Sequence, residues 1–189
     1  MISDDAAVFI EPLAAAWEIV EQVPLQPGTR TLVLGDGRLG QLCAMVLAHN
    51  GSPPTVLGKH EKKLARLANL GLPTGFDPAG FQREFDLVVD ATGSPDGLSQ
   101  ALKLVRPRGT IVLKSTYHGA APLDLTGVVI DEVSVIGSRC GPFSPAIAQL
   151  ARTPSMLDDM VTARFPLARI DAAFETAQRS DSLKVLVDI

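Results

Sequence analysis

The chain has 189 residues, of which 46% are hydrophobic and 20% charged, and its formal net charge is −4. This length suits one α/β domain with a proper core and is too short for two full-sized domains. The composition describes a soluble globular protein: no apolar run approaches the roughly 20 residues needed to cross a bilayer, the N-terminus lacks the basic-then-apolar signature of a signal peptide and so predicts the cytoplasm, and the negative balance excludes a broad attraction for nucleic acid.

Residues 1–30 read as linking helices that lead into the domain and brace it. Ser3 is suited to cap a helical turn carrying Asp4 and Asp5 near its positive end. Pro12 suits the first position of a second helix, Leu13 to about Val23, before the Gln26-Pro27-Gly28 turn. Thr31 to Leu34 then predict a short buried strand. Gly35-x-Gly37-x-x-Gly40 turns the backbone from that strand into a helix whose apolar residues, Leu39, Leu42, Cys43, Val46 and Leu47, follow the i, i+3, i+4, i+7, i+8 spacing. Asn50 and Gly51 end it as a left-handed terminus requires.

Each glycine of this motif has its own job. Gly35 permits the tight turn, Gly37 lets a pyrophosphate approach bare backbone, and Gly40 lets helix and strand pack closely. The exposed N–H groups and the helix dipole around Arg38 and Leu39 favour a bound anion. The strand before the motif and the capped helix after it are the context in which GxGxxG signals dinucleotide binding.

Thr55 to Leu57 predict a second strand that ends in Gly58-Lys59-His60. About 20 residues past the fingerprint an NAD-preferring site presents an acidic side chain to the ribose 2′-hydroxyl. Gly58 stands there instead, so a carboxylate is expected to be absent. Lys59, Lys62, Lys63 and Arg66 crowd the start of the next helix with only Glu61 opposing them. Local positive charge suits a 2′-phosphate, so NADP is expected over NAD, with Gly58, Lys59, His60 and Lys63 at the ligand; a solvated helix face is the plainer reading of Lys62 and Arg66.

Glu61 to Leu70 reads as a helix with Leu64, Leu67 and Ala68 on its inner side, stopping at Gly71. Thr74 to Phe76 is a brief third strand and Asp86 to Asp90 a fourth. Ser94 as cap and Pro95 as first residue start the following helix. Ala91, Thr92 and Gly93, at the carboxyl end of the fourth strand, are candidate cofactor contacts or simply a strand-to-helix turn. Arg106 to Gly109 reads as a turn, Thr110 to Leu113 as a fifth strand, Lys114 to Gly119 as a polar loop, Leu125 to Asp131 as holding a helical turn, and Val133 to Gly137 as a sixth strand.

These elements predict an α/β fold: a doubly wound, parallel six-stranded sheet over residues 31–152, a Rossmann fold of order 3-2-1-4-5-6 with right-handed crossovers. The ends of the fifth and sixth strands then lie beside the nicotinamide, which makes Lys114, Ser115, Ser138 and Arg139 candidates. His118 reads as a loop side chain rather than a catalytic base. Cys43 and Cys140 form no CxxC and read as a core thiol and a loop thiol. After a last helix from Ser144-Pro145 to Ala151, residues 153–189 form a strand-helix-strand tail. Its parts are Met160 to Phe165, Ile170 to Arg179 with Ala173, Phe174 and Ala177 inward, and Leu183 to Val187. The six-stranded sheet offers those two strands no obvious partner.

Several stretches converge on one family. TLVL followed by GDGRLGQLCAMVLA, then FDLVVDATGSPDGL, RPRGTIVLKSTYHG, DEVSVIGSRCGPF and RFPLARIDAAFETA with LKVLVDI, resemble the carboxyl-terminal, nucleotide-binding half of the medium-chain, zinc-type alcohol dehydrogenases. IEPLAAAWEIV resembles the helix that leads into this half. The resemblance implies hydride transfer between an alcohol or carbonyl and a nicotinamide cofactor. It also implies that the GroES-like domain, which carries the catalytic zinc ligands and most substrate contacts in the family, has no counterpart in these residues. No metal site is expected here, and zinc belongs to a full-length parent. Glu11 stands where relatives approach that zinc from behind its ligands, and is otherwise a carboxylate opening a helix. Lys184 stands where relatives often aim a basic residue at the cofactor pyrophosphate. The tail would be loosely held, fold back or pair with a partner chain, since exposed strand edges invite pairing; a homodimer through the sixth strand is a further expectation. Besides the nicotinamide cofactor, the parent enzyme would take a small alcohol or carbonyl. The alternatives are a stand-alone, non-catalytic NADP-binding module or partner-dependent subunit, a zinc-free enone or quinone reductase relative and, remotely, an S-adenosylmethionine methyltransferase, which wants an acid where Gly58 stands.

Overall fold

Six short runs form one parallel sheet: β1 (Thr31–Leu34), β2 (Thr55–Leu57), β3 (Thr74–Gly75), β4 (Phe85–Asp90), β5 (Val105–Leu113) and β6 (Ser134–Gly137), in the order β3-β2-β1-β4-β5-β6. The computed structural model describes residues 2–117 and 123–189, so His118 and Gly119 lie outside the described residues. β1 is buried at every position, as a central strand covered on both faces must be. Its alternation sorts side chains between two cores. Val33, with Val56, Val89 and Val112, faces one, and Leu32 and Leu34, with Val88 and Ile111, face the other.

On the first face lie α2 (Ile10–Gln22), α3 (Arg38–His49), α4 (Glu61–Asn69) and α7 (Phe143–Arg152); on the second lies α5 (Gly97–Leu104), and the short α6 (Thr126–Ile130) precedes β6. α3 is buried well beyond its periodic stripe, including Gln41, Ala44 and Met45, because α2 packs across its outer side. α2 also packs on α7, where Trp17 Nε1 donates to Gln149 Oε1 at 2.8 Å in a buried bond. The short α1 (Asp4–Ala7) is capped by Ser3, whose hydroxyl accepts from the Ala6 N–H. No helix among the described residues is long and apolar enough to cross a membrane.

Several boundaries and faces differ from expectation. α2 begins at Ile10, which puts Pro12 in its first turn, where no intrahelical N–H bond is lost. α5 begins at Gly97, because Ser94 to Gly97 close a turn through Gly97 N–H to Ser94 O. β5 runs through Arg106 to Gly109, yet those residues leave the ladder. Its register on β4 jumps from Phe85–Val105 to Leu87–Thr110, and Arg108 takes φ +60°. On α4 the inner face is Lys63, Leu64 and Leu67, and Ala68 is exposed. On α8 (Ile170–Ala177) only Ala173 is buried; Phe174 and Ala177 face out.

The tail strands β7 (Val161–Pro166) and β8 (Lys184–Asp188) pair with each other, in parallel, as a separate two-stranded sheet with α8 as the crossover. Two arginines fasten the tail to the main body. Arg164 pairs with Asp5 of α1, and Arg66 of α4 donates to the carbonyls of Met156 and Asp158 and, at 2.7 Å, to Gln41 Oε1. The thiol of Cys43 is fully buried and pushed up to about 12 by burial, while Cys140 is exposed.

Gly141 lies against α2 so closely that a Cβ there would overlap the Ala14 carbonyl oxygen and reach Glu18 N at 2.8 Å. Gly141→Ala is expected to cost about 1–3 kcal/mol and to lower Tm by roughly 3–10 °C in a thermal melt.

Candidate functional site

The strand registers decide where a ligand fits. Leu34 aligns with Leu57 and Asp90, Asp90 with Leu113, and Leu113 with Gly137, so the carboxyl ends share one edge. The order reverses between β1 and β4, and crevices at such a reversal are where open parallel sheets bind ligands. A cleft of about 240 Å³ opens there. Gly35, Asp36 and Gly37 line it from the β1–α3 turn, Gly58, Lys59, His60 and Lys63 from the β2–α4 corner, and Ala91, Thr92 and Ser94 from the end of β4, with Phe76, Pro78 and Gln100 completing it.

The three fingerprint glycines differ in what surrounds them. Gly35 has φ +111°, and a Cβ on it would stand 2.6 Å from the Ala91 carbonyl oxygen. A Cβ on Gly40 would overlap the Gly35 carbonyl oxygen, so this glycine seats α3 on the turn. Gly37 is in ordinary extended geometry, and among the described residues nothing lies within 4 Å of where its Cβ would be. That open space at the start of α3 is what a diphosphate needs to reach backbone N–H groups, so these residues fit a dinucleotide.

The sequence predicts no carboxylate at the end of β2, and the structure corrects this. Asp36 comes across from the fingerprint turn and lies beneath Gly58. Its Oδ2 accepts from the N–H groups of Lys59 and His60, each at 2.7 Å, and its Oδ1 is 2.9 Å from His60 Nδ1. Gly58 therefore marks a place filled by a neighbouring carboxylate: a Cβ there would overlap Asp36 Oδ2. Burial by itself pushes the Asp36 carboxyl up, but the bonds from the His60 ring and from the two N–H groups outweigh it and hold the group below the usual carboxylate range. The signal was in the motif, since Asp36 is the first variable position of GxGxxG, but its partner lies 24 residues away.

The remaining candidates divide. Arg38 is exposed at the first turn of α3, and Leu39 packs against the core. Gly93 lies at the β4 end with φ +65°, its N–H bonded to Ser115 Oγ at 2.9 Å. Lys114 and Ser138 are bonded to each other. The Lys114 Nζ is spent on Ala15 O at 2.6 Å, Ser138 Oγ at 3.0 Å and Arg139 O at 3.1 Å, fixing the ends of β5 and β6 to α2. Burial drags this ammonium below its usual range, opposed chiefly by the nearby Cys43 and Glu18. The Arg139 side chain is exposed. Lys184 sits over the Phe9 ring, 5.7 Å from its centroid, and near the Val8 carbonyl. Glu11 is exposed in the first turn of α2. No cluster of three or more His, Cys, Asp and Glu able to hold a metal ion occurs among the described residues.

Residues 4–189 match the family described as glucose dehydrogenase C-terminus. The chain belongs to that family. The glucose 1-dehydrogenase of Thermoproteus tenax is 32% identical over 98% of this chain. The chain spans 59% of that enzyme's length, and a similar share of the D-arabinitol dehydrogenase 1 of Uromyces fabae, to which it is 26% identical over 98% of its own length. Among solved structures, S. aureus TarJ in complex with NADPH superposes with a TM-score of 0.85 at 20% identity, covering 100% of this chain and 66% of that one. The shared fold is the six-stranded, doubly wound parallel sheet.

Two substitutions separate the jobs of the glycines. Gly37→Ala should leave Tm within the equivalent of about 0.5 kcal/mol of wild type while weakening dinucleotide binding about tenfold by calorimetry. Gly40→Ala should lose about 2–3 kcal/mol of stability because α3 must be pushed off the turn.

Asp36→Asn should cost about 2 kcal/mol at neutral pH, the size of hydrogen bonds to a charged acceptor. A carboxyl whose folded value is lowered stabilises above its unfolded value, near 3.9, and loses that contribution as pH falls through the folded value. Denaturant melts of wild type and variant should therefore differ at about pH 5 and above and converge as the pH falls below about 4.

Proposed function

We propose that the chain is the NADP-binding part of an alcohol dehydrogenase-like oxidoreductase that passes hydride between an alcohol or carbonyl and the nicotinamide ring. The observation that carries this reading is the cleft at the β1–β4 reversal with unobstructed backbone at Gly37. The dehydrogenase names of relatives across nearly the whole of this chain support the chemistry. When bound, the nicotinamide supplies or accepts the hydride, and the work of this chain is to bind and orient it. The N–H groups at the start of α3 would hold the diphosphate, and Gly35, Ala91 and Thr92 would line its path along the cleft. Lys59 and Lys63 stand where the adenosine ribose would end. Their charge, together with an Asp36 carboxylate already engaged by three donors, supports NADP over NAD.

The residues described do not form a zinc site. The chain spans less than two thirds of the length of its relatives, and the substrate pocket is assigned in this proposal to the part they hold besides it. The division into linking helices 1–30, nucleotide-binding domain 31–152 and tail 153–189, a cytoplasmic setting, and a homodimer along β6 belong to the same reading. Exposed Val129, Ile130 and Val135 beside or on β6 support the last of these.

Thermal-shift and calorimetric titration of the purified chain provide the test. NADPH should raise Tm and bind more tightly than NADH, whereas S-adenosylmethionine should do neither. Absence of response to both nicotinamide cofactors would overturn the proposal.

A further inference from the structure

The corner beneath Gly58 holds a histidine whose hydrogen-bonding state is set by its neighbour. An ionised carboxylate only accepts, so in the 2.9 Å contact with Asp36 Oδ1 it is His60 Nδ1 that donates. Asp36 Oδ2 has both of its lone-pair positions taken by the N–H groups of Lys59 and His60. This carboxylate, at 5% exposure, is thus largely spent on holding the corner and poorly placed to bind ribose itself. Among the described residues the second nitrogen of the His60 ring has no hydrogen-bond partner, its side chain is 38% exposed, and it lines the cleft. With Nδ1 fixed as a donor, Nε2 is an acceptor when the ring is neutral and a donor when it is charged.

We propose that His60, held by Asp36, reads the 2′ position of the cofactor's adenosine ribose: the neutral ring accepts from a 2′-hydroxyl, and the charged ring donates to a 2′-phosphate. This rests on the reading of the cleft as a nicotinamide-dinucleotide site, in which the ribose lies at the end of β2. Asp36 is then a positioning residue that fixes the tautomer, and His60 a specificity-determining one. The proton that changes the ring comes from water. The other ionisable groups around this corner are Lys59 beside it, Glu61, Lys62 and Lys63 on α4, Arg38 at the start of α3, Asp77 between the cleft residues Phe76 and Pro78, and Asp90 at the end of β4. Lys59 and Lys63 line the same corner, and the histidine adds a pH-dependent increment to their attraction. Binding and protonation favour each other: a 2′-phosphate should keep the His60 ring charged to higher pH, and a 2′-hydroxyl should not.

The test uses the full chain, wild type and His60→Gln, with 2′,5′-ADP and 5′-AMP as probes in isothermal calorimetry from about pH 5.5 to 8.5, the range where a histidine changes charge. The 2′-phosphate itself ionises near pH 6, so the quantity to read is the wild-type to variant affinity ratio at each pH, from which the ionisation of the free probe cancels. For 2′,5′-ADP the ratio should be about tenfold near pH 6, the size of a charge-assisted hydrogen bond, and fall toward unity by pH 8.5. For 5′-AMP it should not rise as pH falls. A ratio for 2′,5′-ADP that is flat with pH overturns the inference. A second measurement needs no variant: in NMR titration of the wild-type histidine ring, the His60 signals should hold their charged-state shift to higher pH with 2′,5′-ADP bound than with 5′-AMP, and identical titrations would overturn it. If NADPH, NADH and both probes all fail to bind, the cofactor reading falls and this inference with it. If they bind without the pH-dependent ratio, only this inference falls.

Discussion

The Asp36 carboxylate joins two turns that the chain makes 24 residues apart. It satisfies the first free N–H groups of the β2–α4 corner, as a capping side chain would, but reaches them from the neighbouring β-α unit. That arrangement dictates Gly58, since no side chain fits above the carboxylate. It also sets the position of Lys59 and the orientation of the His60 ring. The side of the cleft nearest β2 is therefore one bonded unit, and the absence of an acid at residue 58 is a consequence of the acid at residue 36.

A comparable economy holds at the other end of the sheet. Lys114, at the end of β5, is surrounded by oxygens of α2 and of the β6 end, and so fixes three elements at once. The helix that reads as a linker in the sequence is part of the domain's core: α2 covers α3, packs on α7 and accommodates Gly141 against its backbone. The tail strands, which lack an obvious partner in sequence, satisfy each other's backbone groups in parallel, and Arg66 and Arg164 anchor them. Parallel pairing needs a crossover, and α8 supplies it.

Backbone exposed at Gly37, a positive corner at Lys59 and Lys63, and an edge of aligned strand ends meet at one cleft, and the proposal of a bound nicotinamide cofactor rests on them. The family match over residues 4–189 and the coverage of under two thirds of its relatives agree with a chain that corresponds to one half of a larger architecture.

The strand order, the fingerprint turn and most helices were legible because each is a local pattern: apolar runs for buried strands, 3.6-residue periodicity for helices, glycines where the backbone must turn or be approached. The same logic failed where the cause lay across the fold. Ser94-Pro95 has the form of a helix start, but the turn closed by Gly97 delays it, and Phe174 has the spacing of a core residue, but none of the described elements covers its side of α8. By itself the sequence determined a doubly wound sheet and the place of its cleft, since periodicity and glycine geometry act between near neighbours along the chain. Only the tertiary structure decided which charged side chains meet at the cleft, because a hydrogen bond such as that from the His60 corner to Asp36 depends on which turns the sheet brings side by side.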